Sequence, residues 1–387
     1  MTAGIDRIAA RFDKRYATHF ADRPAVPFAI RDTGGRVHQM GGSEPRFTLV
    51  ASNARGMSAL ETVDSLVIAE AYLSGAVDIE GDVEAVLSVR DFFADTHPLV
   101  SAWHMFWPRL RGQEKTDKQN ISHHYDIDAD FFLSFLDKRH RCYSHGIFQS
   151  DDEPLEDGIT HKLDFAVDSV EARPGDRILD VGGGWGAFTE YGGRKDLQVT
   201  SLTISRVSEK FLNDLIAREK LPCKVKYEHL HEHKPDKPYD AIVILGVTEH
   251  LPDYERTLAL YRSMLKPGGK VYLDASAMRK KYDLSSFIRR HIYPGNGSPM
   301  CLHDYLRAVA ASPFSLESVH DDRHSYALTA KHWAERFDAA RAEIERRWGM
   351  AQFRKFRIYL WGCYDGFKRD EVQAYRVVLG LPSMATS

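Results

Sequence analysis

One stretch constrains the fold of this chain more than any other: Arg177-Ile178-Leu179-Asp180-Val181-Gly182-Gly183-Gly184-Trp185-Gly186-Ala187. A β-rich run ending in Asp180 and Val181 passes through a glycine cluster into Phe188 to Tyr191, which reads as strand, tight turn and helix. Glycine lets such a turn reach positive φ and lets a ligand lie against bare peptide that any Cβ would obstruct. An ordinary strand-to-helix turn is the alternative; the density of glycines favours one that cradles a cofactor. Gly182-x-Gly184-x-x-Ala187 also fits the dinucleotide pattern, which asks for an Asp or Glu about 20 residues on to hold ribose hydroxyls. The next apolar run, Leu197 to Ser205, ends instead in Thr203-Ile204-Ser205, with no acid.

Further on, Tyr239 to Leu245 is a buried-strand run, and Leu265-Lys266-Pro267-Gly268-Gly269-Lys270-Val271-Tyr272-Leu273 reads as helix end, turn and strand. Glycine turn, apolar strand and "LKPGG" turn in this order resemble the S-adenosylmethionine-dependent methyltransferase fold. The fold class expected is therefore α/β, a doubly wound Rossmann-like sheet, with a smaller α+β domain before it. The chain's 387 residues allow for both, being enough for two sizeable cores.

Charge and cysteine content narrow the partners. Lys+Arg 52 against Asp+Glu 55 gives 52 − 55 = −3, so no global field favours nucleic acid. The four cysteines, Cys142, Cys223, Cys301 and Cys363, are scattered without CxxC spacing, as reduced thiols of a cytosolic protein are. No apolar run is long enough to span a bilayer or to form the core of a signal peptide, so membranes would be met from the surface.

Residues 1–111 read as a separate unit. Phe47 to Val50 alternates like a strand, and Ala59 to Tyr72 has apolar residues at helical spacing. Leu73 to Asp82 resembles the "GEAYMDGDIDIEGDL" block of the lipid-binding N-terminal domain of cyclopropane-fatty-acid synthases. Leu99 to Arg111, with Trp103, Phe106 and Trp107 beside His104, Arg109 and Arg111, is an amphipathic helix that either packs on the protein or touches a membrane. The charged residues 112–122 read as a linker, and residues 123–387 as the catalytic domain with acyl-site helices at its end.

The same family resemblance continues there. His123 to Phe132, Phe135-Leu136-Asp137 and Tyr143 to Phe148 resemble "HYDLGNDFY...FLD...YSCAYF". By that resemblance Tyr143 and Ser144 contact the cofactor's carboxylate, where neutral hydroxyls add no charge beside the sulfonium. Gly182, Gly184 and Gly186 would line its methionine and ribose portions, Thr203 and Ser205 would lie near the ribose, and Glu228 and His229 would meet the adenine. Ser208 stands where the family's "VTLSxxQ" has glutamine. The histidines 229, 231 and 233 also raise a metal site, but Glu228 and Glu232 interleave them with no fixed partner, and no metal is assigned.

Gly246-Val247-Thr248-Glu249-His250 resembles the family's "GMFEH", which puts Glu249 at the reacting centre; Tyr326, in Ser325 to Trp333, resembles the tyrosine of "DYxxTLxxW". The family holds a carbonate ion with a Cys, a Glu, a His and a Tyr. Here the Cys of "YSCAYF" falls on His145 and the His of "LLHT" on Asp274. A second anion beside Glu249 should repel carbonate, so bicarbonate is doubtful as a cofactor. The replacement expected is a base made of His145 oriented by Asp274.

Arg279, Lys280, Lys281, Arg289, Arg290 and His291 concentrate positive charge for anionic headgroups, or form a solvated helix face. Phe353 to Leu379 carries Phe356, Tyr359, Leu360, Tyr364 and Phe367 at helical spacing, as core or as acyl-tunnel wall. The function implied is S-adenosylmethionine-dependent methyl or methylene transfer to the double bond of an unsaturated fatty acyl phospholipid. It would give a cyclopropane or a methyl-branched olefin, from the cytoplasmic face of a membrane met transiently, with a homodimer left open. The rivals are a methyltransferase for a small or polyketide-like molecule and a catalytically inactive lipid-binding homologue.

Overall fold

The computed structural model describes residues 3–94, 127–293 and 298–383. The amphipathic segment at 99–111, the linker at 112–122 and His123 to Asp126 lie outside the described residues, as do 294–297 of the loop that follows the basic segment.

The N-terminal unit runs α1 (Ala3–His19), β1 (Phe28–Arg31), β2 (Val37–Met40), β3 (Phe47–Ala51), α2 (Ala54–Thr62), α3 (Ser65–Leu73), β4 (Val77–Gly81) and α4 (Val83–Ser88). Its strands order β2-β1-β3-β4, with only β1 and β3 parallel. The helix expected over 59–72 is two helices. Val63 turns left-handed at φ 53°, and the Asp64 side chain then caps α3 by accepting from the Val67 amide. Ile8, Phe12, Phe28, Phe47, Leu60 and Phe92 are among the residues that fill the core of this unit.

The second unit runs α5 (Ala129–Leu133), α6 (Leu155–Ser169), β5 (Arg177–Val181), α7 (Ala187–Gly193), β6 (Gln198–Thr203), α8 (Arg206–Glu219), β7 (Lys224–Tyr227) and β8 (Tyr239–Leu245). It continues through α9 (Tyr254–Met264), β9 (Leu265–Ala277), α10 (Leu302–Ala310), β10 (Ser315–Asp321), α11 (Arg323–Ala339), α12 (Arg341–Trp348), α13 (Met350–Lys368) and β11 (Gln373–Gly380). The sheet orders β10-β11-β9-β8-β5-β6-β7, with β7 through β9 parallel and β11 antiparallel to both β9 and β10. The chain builds outward from β5 through β6 and β7, then returns to the other side with β8. That reversal opens a crevice at the carboxyl ends of β5 and β8, where sheets of this kind take ligands.

Two expectations change. The "LKPGG" turn is taken up inside β9, whose register against β8 shifts between Tyr239 and Ala241. The helical stripe stops at Lys368, and residues 373–380 form β11, slotted between β9 and β10.

Candidate active site

Strand β5 ends at Asp180, a buried carboxylate that accepts from Ser201 Oγ at 2.8 Å and Thr189 Oγ1 at 3.2 Å. Burial pushes its carboxyl up to about 6, against the lowering effect of those two hydroxyls. Gly182 and Gly184 follow with φ of 85° and 50°. A Cβ on Gly184 would have no neighbour nearer than the Gly182 carbonyl at 3.8 Å, so the turn presents bare backbone to open space. Ser208 Oγ donates to the Gly184 carbonyl at 2.7 Å and steadies that turn from α8.

That open space is a cavity lined by Tyr143, Ser144, Gly182, Gly184, Thr203 and Ser205. Glu228 and His229 complete it from beyond β7. Gly186 is not part of the lining: its Cβ would meet Leu215 Cδ2 at 2.5 Å, so glycine there lets α7 and α8 pack closely. The histidines 229, 231 and 233 do not converge on a metal. His233 is held between Glu228 at 2.7 Å and the Tyr239 hydroxyl at 3.0 Å, and among the described residues only Cys301, His303 and Asp304 lie close enough together to share an ion.

A second, larger cavity of about 970 Å³ adjoins the first, with Tyr143, Gly246 and His250 lining both. Its walls are mostly apolar and come from both units: Ile68, Val83 and Val86 from the first, Tyr359, Cys363 and Phe367 from the second. Glu249 and Tyr326 line it as well. Glu249, in a short 3-10 turn after β8, is held through Oε1 by the Ser276 amide at 2.6 Å and hydroxyl at 2.8 Å. Its buried Oε2 makes no hydrogen bond. Burial raises the carboxyl to about 7; the bonds from Ser276 lower it, and Asp274 adds to the rise. Burial likewise holds His250 down at about 4, so its imidazole is neutral near pH 7. Tyr326 stacks on Phe367 with ring centres 4.2 Å apart, and burial drives its phenol upward.

The pairing of His145 with Asp274 is not found. His145 Nε2 is bonded to Asp322 Oδ2 at 3.0 Å, and Asp322 in turn faces Arg376 at 3.6 Å. Asp274 faces Lys162 Nζ at 3.6 Å, both side chains wholly buried. Each acid has its own cation or imidazole, which leaves Asp274 none to give to His145. Neither His145 nor Asp274 lines either cavity; His145 packs at a tilt against Tyr326, ring centres 4.8 Å apart. Two of the four side chains that would hold carbonate are thus out of reach of the cavity, and one of those is an anion. The residues present do not fit that ion.

Sequence reasoning missed Lys162, Ser276, Asp322 and Asp180. Ser276 was two residues past Asp274 and so on the same face of β9. Lys162 interrupts the buried face marked by Ile159 and Ala166. The basic segment is largely spent on internal partners: Arg279 on Asp370, Arg290 and His291 on Glu70, and Arg289 on the Leu284 and Tyr282 carbonyls.

Known proteins share this architecture. The family "Mycolic acid cyclopropane synthetase" matches residues 112–377, and a domain of unknown function matches residues 15–94. A probable fatty acid methyltransferase of Pseudomonas putida is 25% identical over 372 residues, covering 92% of each chain. The cyclopropane-fatty-acyl-phospholipid synthase of Escherichia coli is 30% identical over 266 residues, 66% of each chain. Among solved structures, a mycolic acid cyclopropane synthase complexed with SAH and CTAB superposes with a TM-score of 0.63 at 25% identity, covering 68% of this chain and 98% of that one. The chain belongs to the mycolic acid cyclopropane synthetase family and is a methyltransferase with the fold of the S-adenosylmethionine-dependent enzymes.

Proposed function

We propose that this enzyme methylates the double bond of an unsaturated fatty acyl chain, with Glu249 as the base, and that the product is a methyl-branched olefin. The observation that carries this reading is that the two cavities adjoin, sharing Gly246 and His250, with Glu249 between those two in the chain and lining the larger cavity. The glycine-turn cavity suits S-adenosylmethionine: hydroxyls at Tyr143 and Ser144 for a carboxylate, Thr203, Ser205 and Glu228 for polar nucleoside groups, and bare peptide at Gly184. The larger cavity is apolar, and its 970 Å³ stands near the top of the roughly 300–1,000 Å³ usual for ligand sites, as a long acyl chain requires. Relatives named for fatty acyl and sphingolipid substrates support the lipid class.

Bound at the glycine turn, S-adenosylmethionine would supply an electrophilic methyl group. Transfer of that methyl to the acyl double bond, with its sulfur leaving as the thioether, would put positive charge on the neighbouring chain carbon. The ionised Glu249 carboxylate, which lines the same cavity, stabilises that charge. Glu249 then takes one proton through Oε2, and the electrons of the broken C–H bond become a new double bond. Ser276 fixes Oε1, so the free oxygen is the one presented to substrate.

Position decides the product. Ring closure needs the proton to leave the methyl group just added, with a base beside the sulfur. Glu249 lines the acyl cavity and not the glycine-turn cavity, which favours a proton on a neighbouring chain carbon. The sphingolipid C9-methyltransferase of Candida albicans, 24% identical over 346 residues, is named for methylation, which also supports an open product.

The test is the lipid profile of cells expressing the enzyme, followed by ozonolysis of the new fatty acid. An olefin is cleaved beside the methyl branch, and turnover is independent of added bicarbonate. A product of the same mass that resists ozone and shows high-field ring protons would overturn the assignment of the base. The substrate also implies transient contact with a membrane surface; no helix among the described residues is long and apolar enough to cross one. Co-flotation with vesicles of unsaturated phospholipid tests that contact.

A further inference from the structure

We propose that Lys162 is a positioning residue for the cofactor: its ammonium holds the Ser144 hydroxyl so that the hydroxyl proton points into the glycine-turn cavity, at the cofactor's carboxylate. This rests on the reading of that cavity as the S-adenosylmethionine site.

Lys162 lies on α6 in a row of buried residues that includes Leu155, Ile159, Leu163 and Ala166. Its side chain is wholly enclosed, and Nζ stands 2.6 Å from Ser144 Oγ, 3.0 Å from Cys142 Sγ and 3.6 Å from Asp274 Oδ2. An enclosed ion pair is a poor source of stability, since its desolvation offsets its attraction and apolar replacements often do as well. The pair therefore calls for another reason. Burial alone would push the ammonium down, but Asp274 and Cys142 outweigh burial and keep it charged.

A charged ammonium has three donors and no acceptor. Ser144 Oγ must accept from it, which leaves the serine's own hydrogen to be donated elsewhere. Its other near neighbour, Cys142 Sγ at 3.7 Å, is a weak acceptor already engaged by Lys162. The direction left is the cavity that Ser144 lines. A hydroxyl polarised by a cation is a stronger donor to an anion than a free one. Asp274 supplies the counter-charge: its carboxylate oxygens make no hydrogen bonds, and Lys162 is the cation that faces them.

The test compares two ligands by titration calorimetry on the full chain. S-adenosylhomocysteine carries the amino-acid carboxylate; 5′-methylthioadenosine is the same nucleoside sulfide without it. The native enzyme should prefer the first. Lys162→Met with Asp274→Asn removes both charges together and should weaken S-adenosylhomocysteine by roughly 10- to 100-fold, the loss of one charge-assisted hydrogen bond, while methylthioadenosine is unchanged. Lys162→Gln with Asp274→Asn, which keeps a hydrogen-bonding group of similar reach, should shift the preference in the same direction should the first pair disturb folding. Ser144→Ala should reproduce the loss and not add to it. Equal weakening of both ligands would reduce Lys162 to a structural role, and an undiminished preference in the charge-free pair would overturn the proposal. A native enzyme that binds neither ligand would overturn the site reading itself, an outcome distinct from either.

Discussion

Glu249 unites two properties that make a carboxylate useful as a base: one oxygen is fixed by Ser276, and the other is enclosed without a partner. The enclosure raises its carboxyl from 4.5 to about 7, so the folded state holds the proton more tightly than the unfolded chain. The stability this gives is full below the unfolded value and is lost as pH rises through 7. Glu249→Gln, a neutral replacement, should therefore be more stable than the native enzyme at pH 8 by roughly 1–3 kcal/mol, with most of the difference gone at pH 5. Urea unfolding at the two pH values measures this. The same variant should bind S-adenosylhomocysteine normally and lose turnover by at least about 100-fold. In the native enzyme kcat/KM should rise with pH around 7, while kcat turns at lower pH because the sulfonium charge favours the carboxylate form. Glu249 and Tyr326, which both line the larger cavity, could be picked out in the sequence because each stands inside a contiguous motif. Lys162 and Asp322 could not, because their significance is a contact: Asp322 meets His145 across 177 positions of chain. Asp274 was visible as a departure from the family, but its partner could not be read from its neighbours in sequence.

The strand–turn–helix at β5 and α7 was legible because its determinants are local, a run of apolar residues and the glycines that follow. Its glycines nevertheless do two different things, and substitution separates them. Gly184→Val places a side chain in the cavity and should abolish binding of S-adenosylhomocysteine. Gly186→Ala meets Leu215 and should leave binding within a few-fold while lowering stability. Both carry a cost of roughly 1–2 kcal/mol for a Cβ at positive φ, so thermal melts alone will not distinguish them and calorimetry will. Undiminished affinity in Gly184→Val would remove the cofactor from this turn. Elements whose form depends on distant partners were harder to read. β11 continues the apolar composition of α13, and only its pairing with β9 and β10 makes residues 373–380 a strand. The break between α2 and α3 depends on one left-handed valine and the cap at Asp64, within a hydrophobic pattern that runs on unbroken.

At the scale of the whole molecule, two units were visible in the sequence but the seam between them was not. Helix α13 forms much of it. Arg354, almost fully buried, donates to the Tyr72 carbonyl at 2.7 Å and the Val77 carbonyl at 3.1 Å, and its guanidinium meets Asp78 at 3.1 Å. Arg90 reaches back from the first unit to Asp365 and Glu371, and Lys368 pairs with Glu84. Because the larger cavity is bounded by both units, contacts across the seam bear on its width, whereas the glycine-turn cavity is built from the second unit alone. Arg354→Met keeps much of the stem's packing but removes a donor shared by the Tyr72 and Val77 carbonyls, the former keeping the Gly75 amide, and takes the guanidinium from Asp78, at a cost of roughly 2–4 kcal/mol. With the seam loosened, KM for vesicle-borne unsaturated phospholipid should rise severalfold while the affinity for S-adenosylhomocysteine stays as it was. Steady-state kinetics on vesicles and calorimetry on the same preparation separate the two quantities. A variant that weakened cofactor binding instead would mean that the two cavities are coupled more closely than their shared lining at Tyr143, Gly246 and His250 implies. One that changed neither would show that the first unit does not help to hold the substrate, which would then have to be held by the second unit alone.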